Sequence, residues 1–187
     1  LIQVPPPLPL VLEHSFQTQH LRLMTDKLTG NVAQLEAMNF RLAALTDLNL
    51  QLASERDPNV LLGNVCRGAR DLVGAQYAVL CVARKNTADP VVFTSGLDTE
   101  RTAQLATPVM SHGLLGTVRA ERRSERWTDP AGRPEAIGLP HGYPPLFTAL
   151  IVPVTSLSFS YGWICLANKL GADGFSSEDE KILAILG

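Results

Sequence analysis

Two stretches decide how this chain folds: Phe147-Thr-Ala-Leu-Ile-Val-Pro-Val-Thr155 and Ser160-Tyr-Gly-Trp-Ile-Cys-Leu-Ala-Asn168, joined by Ser156-Leu-Ser-Phe159. Both are dense in β-branched and aromatic residues, and the connection is short enough to close a hairpin. In an extended chain alternate side chains share a face, so Tyr161, Trp163 and Cys165 point one way and Gly162, Ile164 and Leu166 the other. Neither face is polar. The hairpin therefore belongs inside a sheet that other elements or a ligand cover on both sides.

Working outward, Gln76 to Arg84 has the same two-sided apolar character and predicts a further strand, with a short one at Pro90 to Thr94. Asp57-Pro58 is an N-cap followed by a first-turn proline, and opens a helix over Asn59 to Val73. Leu61, Leu62, Val65, Cys66, Ala69 and Leu72 give that helix its apolar face, and Gly74 closes it. Asp98 or Thr99 caps a short helix running toward Leu105, and Gly113 to Ala120 predicts another. After the hairpin, Ser176 or Ser177 caps a last helix with Ile182, Leu183 and Leu186 as its core face. Glu178, Asp179 and Glu180 suit the positive end of that helix's dipole.

Between these elements lie Arg119, Arg122, Arg123 and Arg126, for which a solvated face is the expectation and an anion site the alternative. Thr128 to Pro145 carries Pro130, Pro134, Pro140, Pro144 and Pro145 with Gly132, Gly138 and Gly142. This composition predicts an irregular lid or binding loop.

The N-terminal part has another character. Residues 1–17 are a Pro-rich linker or edge. Over 18–55, Leu21, Leu28, Leu35 and Leu42 recur every seven residues, with Met24, Met38, Leu45 and Leu52 in the complementary position. Asn31 and Asn49 interrupt the two series, as polar residues do where they fix the register of a coiled coil. The expectation is a coiled-coil helix, about 48 Å long from Leu21 to Leu52, pairing two copies in front of a domain over 56–187.

The chain has 187 residues, 16 Lys and Arg against 18 Asp and Glu, and a formal net charge of −2. That balance argues against a non-specific grip on nucleic acid, which needs a basic surface. No apolar run approaches the roughly 20 residues of a membrane span, so no membrane contact is expected here. Cys66, Cys81 and Cys165 are an odd number without a CxxC pair, against both a zinc site and a disulfide framework. A reducing, cytoplasmic setting is expected. The chain begins at Leu1 and stops within an apolar helical pattern, and so reads as a piece of a longer protein.

In this order of elements, the chain from about Leu48 to Leu186 resembles a GAF domain, a small-molecule-sensing module. The resemblance implies an α/β (α+β) fold, a central antiparallel sheet with helices on both faces. Leu150-Ile-Val-Pro-Val154 looks like the family's penultimate strand and Tyr161-Gly-Trp-Ile-Cys-Leu-Ala-Asn-Lys169 like its last. Asn168, Lys169, Phe175, Asp179 and Glu180 fit the Asn-Lys, Phe, Asp-Glu signature of GAF domains in cyclic-nucleotide phosphodiesterases. Lys169, at a strand end, is placed to pair with Asp179 on the first turn of the next helix, with Phe175 beneath the loop, which makes the motif structural.

A shorter stretch, Gly138-Leu-Pro-His-Gly-Tyr-Pro-Pro145 followed by Phe147 to Lys169, is similar to GAF domains of haem-binding gas and redox-sensing histidine kinases. In that family a His directly before Pro-Pro is the proximal iron ligand; here the position is Tyr143. The family's distal Tyr falls on Cys165. His141 is the nearest imidazole, and Tyr can ligate ferric haem. The resemblance puts Tyr161, Trp163 and Cys165 on the pocket side of the sheet, with His141 and Tyr143 over its mouth and His112 and Trp127 near its rim.

Together these readings point to a regulatory, non-catalytic sensor and dimerisation module of a bacterial signalling protein of the histidine kinase type, with an unidentified small-molecule ligand. Haem sensing and ligand-free dimerisation are the alternatives. Reduction of free methionine sulfoxide, an activity of some GAF-fold enzymes, needs an accessible thiolate. Covalent bilin attachment needs a lid cysteine, and Val82 to Ile164 contains none.

Overall fold

A computed structural model describes residues 57–83, 89–156 and 158–184. The expected linker over 1–17 and coiled coil over 18–55 lie outside the described residues.

The first helix, α1 (Pro58–Val73), starts where Asp57 Oδ1 accepts the Asn59 N–H at 2.8 Å. It ends at Gly74, whose φ of 70° is a left-handed conformation that glycine adopts without a Cβ clash. The chain continues through β1 (Ala75–Val82), β2 (Val91–Ser95), a short α2 (Thr99–Gln104), α3 (Gly113–Glu121) and β3 (Glu125–Thr128). A 3-10 turn at Pro134–Ala136 precedes β4 (Thr148–Thr155), β5 (Ser160–Lys169) and α4 (Ser177–Ala184).

The strands form one antiparallel sheet in the order β2-β1-β5-β4-β3. This is the mixed α/β architecture expected from the sequence, with both sheet faces apolar. On one face Ala78, Leu80, Val82, Leu150, Val152, Ile164 and Leu166 pack with Cys66, Ala69 and Val73 of α1 and Leu183 of α4. On the other, Tyr77, Val79, Cys81, Ala149, Ile151, Trp163, Cys165 and Ala167 pack with Leu115 and Val118 of α3 and with the segment before β4. Each large apolar side chain so buried contributes about 1.5–3 kcal/mol. At Gly162 there is no room for a side chain: a Cβ would run into the Cys81 carbonyl of β1.

Two expectations change. The charged run expected to form a solvated face contributes β3, which pairs Glu125–Thr128 with Thr148–Ile151 along the outer side of β4. Its charged, exposed residues are typical of an edge strand, which carries little of the apolar alternation by which strands are read. The Pro- and Gly-rich segment also does more than form a lid. Its Ile137, Leu139, Tyr143 and Leu146 are buried in the core of the second face. Asp129 shapes its start by accepting the backbone N–H groups of Ala131 at 3.0 Å and Arg133 at 3.3 Å. The Ala131 N–H, foremost, holds the Asp129 carboxyl below its ordinary range, with Arg133 adding to it.

Candidate functional site

The C-terminal ends of β1 and α1 bracket two regions of interest: a joint at the end of β5 and a cavity at the β2 edge. In the joint, Asn168 takes a left-handed φ of 56°, which Asn tolerates better than most residues. Its Oδ1 accepts the Phe147 N–H at 2.8 Å, while its Nδ2 donates to Pro145 O and Gln76 Oε1, each at 2.8 Å. One side chain thus ties the last strand to the first and to the entrance of β4. Nothing in the spacing reveals this, because every partner is distant in sequence.

Lys169 Nζ donates to Val73 O at 2.6 Å and to Asp179 Oδ1 at 3.0 Å, and lies 5.9 Å from the centre of the Phe175 ring. The other Asp179 oxygen accepts from the Ser176 N–H and hydroxyl. Burial opposes ionisation of Asp179, but the Ser176 N–H and then Lys169 outweigh it and hold the carboxyl below its ordinary range. Glu180 accepts the Ser124 hydroxyl and pairs with Arg126 at 3.2 Å. Lys169, Phe175 and Asp179 therefore meet at one place, where they fasten β5 to α4 and the end of α1, while Asn168 ties β5 to β1 and the entrance of β4, and Glu180 ties α4 to the start of β3.

The cavity, about 310 Å³, is lined by Pro90, Val91, Val92, Thr94, Thr102, Leu105, Ala106, Thr107 and Tyr143. It is at the low end of the about 300–1,000 Å³ typical of ligand pockets, and Thr94, Thr102, Thr107 and Tyr143 are the lining residues with side-chain hydroxyls. Of the residues singled out from the sequence, only Tyr143 lines it. Trp163 and Cys165 are fully buried in the core, and neither lines this cavity. Tyr161 is 44% exposed and stacks edge-on with Phe159 outside the core. Trp127, on β3, is half-buried against the same core. His112 is exposed at the start of α3. His141 has a 98% exposed side chain, with Nδ1 2.7 Å from Glu135 Oε1, and does not reach over the cavity.

These side chains do not fit haem. Burial pushes the Tyr143 phenol up to about 12, against the phenolate that ferric iron prefers, and the imidazole of His141 is turned to Glu135. Nor do they offer a nucleophile: burial pushes the thiols of Cys66, Cys81 and Cys165 up to about 12. Among the described residues no group of His, Cys, Asp and Glu could hold a metal ion, and no helix is long and apolar enough to cross a membrane.

A five-stranded antiparallel sheet with terminal helices on one face, and a helix and irregular segment on the other, defines a mixed α/β module. The family model of the GAF domain matches residues 55–187, and the chain belongs to the GAF domain family. Solved structures share the fold. The GAF domain of an Acinetobacter phosphoenolpyruvate-protein phosphotransferase is 20% identical with a TM-score of 0.65, over 79% of this chain and 88% of that one. Residues 122 to 287 of a methyl-accepting chemotaxis protein are 14% identical, TM-score 0.60, over 74% and 89%. The GAF domain of a putative sensor histidine kinase from Pseudomonas syringae pv. tomato is 21% identical, TM-score 0.53, over 82% and 85%.

Proposed function

We propose that this GAF domain is the sensory and dimerisation module of a cytoplasmic signal-transduction protein of the histidine kinase type, and that it binds a small molecule at the β2 cavity. The cavity carries this reading: it is a half-open recess lined by β2, by α2 and the residues after it, and by Tyr143, and it combines apolar side chains with four hydroxyls. A ligand there biases the position of the segment ending at Pro145, which Asn168 ties to β5. The next residue, Lys169, grips α1 and α4, the helices through which occupancy is passed on. A ligand shifts such an equilibrium by its differential affinity for the two arrangements. In this proposal the coiled coil expected over 18–55, which lies outside the described residues, pairs two copies.

Thermal unfolding against a metabolite panel tests this reading. A ligand that raises the midpoint of the wild type should lose its effect in Leu105→Trp, which fills the cavity, and weaken in Tyr143→Phe. Equal stabilisation of the Leu105→Trp protein would exclude the cavity. A second reading is ligand-free dimerisation, which a panel without effect would support.

A further inference from the structure

An aspartate carboxyl carbon and the amide nitrogen of the next residue are tied together by the chain itself, so their encounter is intramolecular from the start. Two things ordinarily keep them from reacting: the side chain of the next residue and a backbone locked in regular structure. Of the nine aspartates in this chain, Asp57, Asp89 and Asp129 precede proline, which has no N–H to give up. Only Asp173 precedes glycine, and no asparagine does. Glycine leaves the nitrogen unshielded and the backbone free to turn.

The fold lifts the second restraint at the same place. Asp173 is exposed in the irregular loop between β5 and α4. A Cβ on Gly174 would find nothing within 4 Å, so no neighbour wedges the backbone there. Among the described residues neither Asp173 nor Gly174 makes a hydrogen bond. Asp71 and Asp179 are held differently, inside α1 and α4. The nitrogen that Asp179 would need, that of Glu180, donates to Ser176 O at 3.2 Å, and the Asp179 carboxylate is taken up by Lys169 and Ser176.

We infer that Asp173-Gly174 is a modification site, at which aspartate isomerises to isoaspartate without an enzyme, and that this loosens the joint holding α4. The Gly174 nitrogen attacks Asp173 Cγ, the carboxyl hydroxyl and the amide proton leave as water, and a succinimide closes. Water then adds to the former main-chain carbonyl, whose bond to the Gly174 nitrogen breaks as that nitrogen regains its proton. No electrons are exchanged and the composition is unchanged. The main chain now runs through Cβ and Cγ, with the α-carboxylate as its side group. That extra length enters directly ahead of Phe175, whose buried ring lies under Lys169 and whose carbonyl accepts from Arg126 Nη1 at 3.5 Å. Ser176, next in line, caps α4 through Asp179. An added methylene beside packed residues displaces them. None of these residues lines the β2 cavity, so the inference goes beyond the function proposed above and stands or falls separately from it.

Ageing the full chain for some weeks at neutral pH and body temperature, in heavy-oxygen water, tests this. Trypsin, applied afterwards in ordinary water, releases Leu170 to Lys181 as one peptide. An unaged sample digested in parallel sets the baseline. The aged peptide should resolve into two forms of equal sequence that both carry heavy oxygen, one of them shown by electron-transfer fragmentation to hold isoaspartate at 173. Gly174→Val, for which the structure leaves room, should slow this at least tenfold. The urea midpoint of the aged wild type should fall, and that of aged Gly174→Val should hold. An unmodified Asp173 overturns the inference, as does equal isomerisation at Asp71 or Asp98. So does a native chain that reacts at least tenfold more slowly than the free peptide, since the fold would then restrain the loop. Isomerisation at 173 with an unchanged urea midpoint overturns the loosening of the joint.

Discussion

Lys169 Nζ lies 3.0 Å from Asp179 Oδ1, with side chains 13% and 4% exposed, and the same ammonium donates to the Val73 carbonyl. One buried ion pair thus couples the last strand to the C-terminal helix and to the end of α1. It is a fastening point, surrounded by protein hydrogen bonds.

Removing one partner of such a pair leaves the other charge buried. Lys169→Met should therefore destabilise the domain by about 3 kcal/mol, read as a fall in the urea midpoint. A loss below about 1 kcal/mol would mean that water reaches Asp179 freely.

The same pair sets an acid limit. The folded-state pKa of Asp179 lies below its unfolded value, so its contribution is complete above the ordinary Asp value of about 3.9. It is lost as pH falls from there through the lower folded value, because the unfolded chain takes up the proton first. Asp179→Asn should flatten the decline in unfolding midpoint below about pH 4. An unchanged slope would assign the acid sensitivity to Asp129, whose carboxyl is also held low.

Gly162 pairs with Val82 of β1 and with Val154 of β4, and a Cβ would strike the Cys81 carbonyl. Gly162→Ala should cost about 1–3 kcal/mol, the range for overpacked interiors. Thermal unfolding measures it. Gly174→Ala is the control, since its position has open space around it.

All three cysteines are buried. A thiol reagent at pH 8 should modify none of them in the native protein on the minute scale and all three in denaturant. Rapid native labelling at Cys81 or Cys165 would mean that the second core opens readily. Protection combined with ligand-dependent labelling would trace the motion that the sensory reading requires.

The regular elements were legible because their signals are local. The Asp57-Pro58 start, the Gly74 stop, the two-sided β4 and β5 strands and the acidic first turn of α4 each lie within a few residues. The same locality explains the misses. β3 is a charged edge whose identity rests on its partner β4, and the burial of Ile137, Leu139 and Leu146 depends on a sheet face built from other segments. At the site, the spacing from Asn168 to Glu180 placed these residues near one another, but the grip of Asn168 on Pro145, Phe147 and Gln76 could not be read from it.

The sequence by itself determined the alternation and the caps, since backbone preference and apolar periodicity act within each segment, while the GAF architecture came from its resemblance to that family. Only the tertiary structure decided that the cavity lies beside Thr94 and Tyr143 and that Arg126 finds Glu180. Empty volume and an ion pair between distant segments exist only after those segments have packed, and no local pattern carries them.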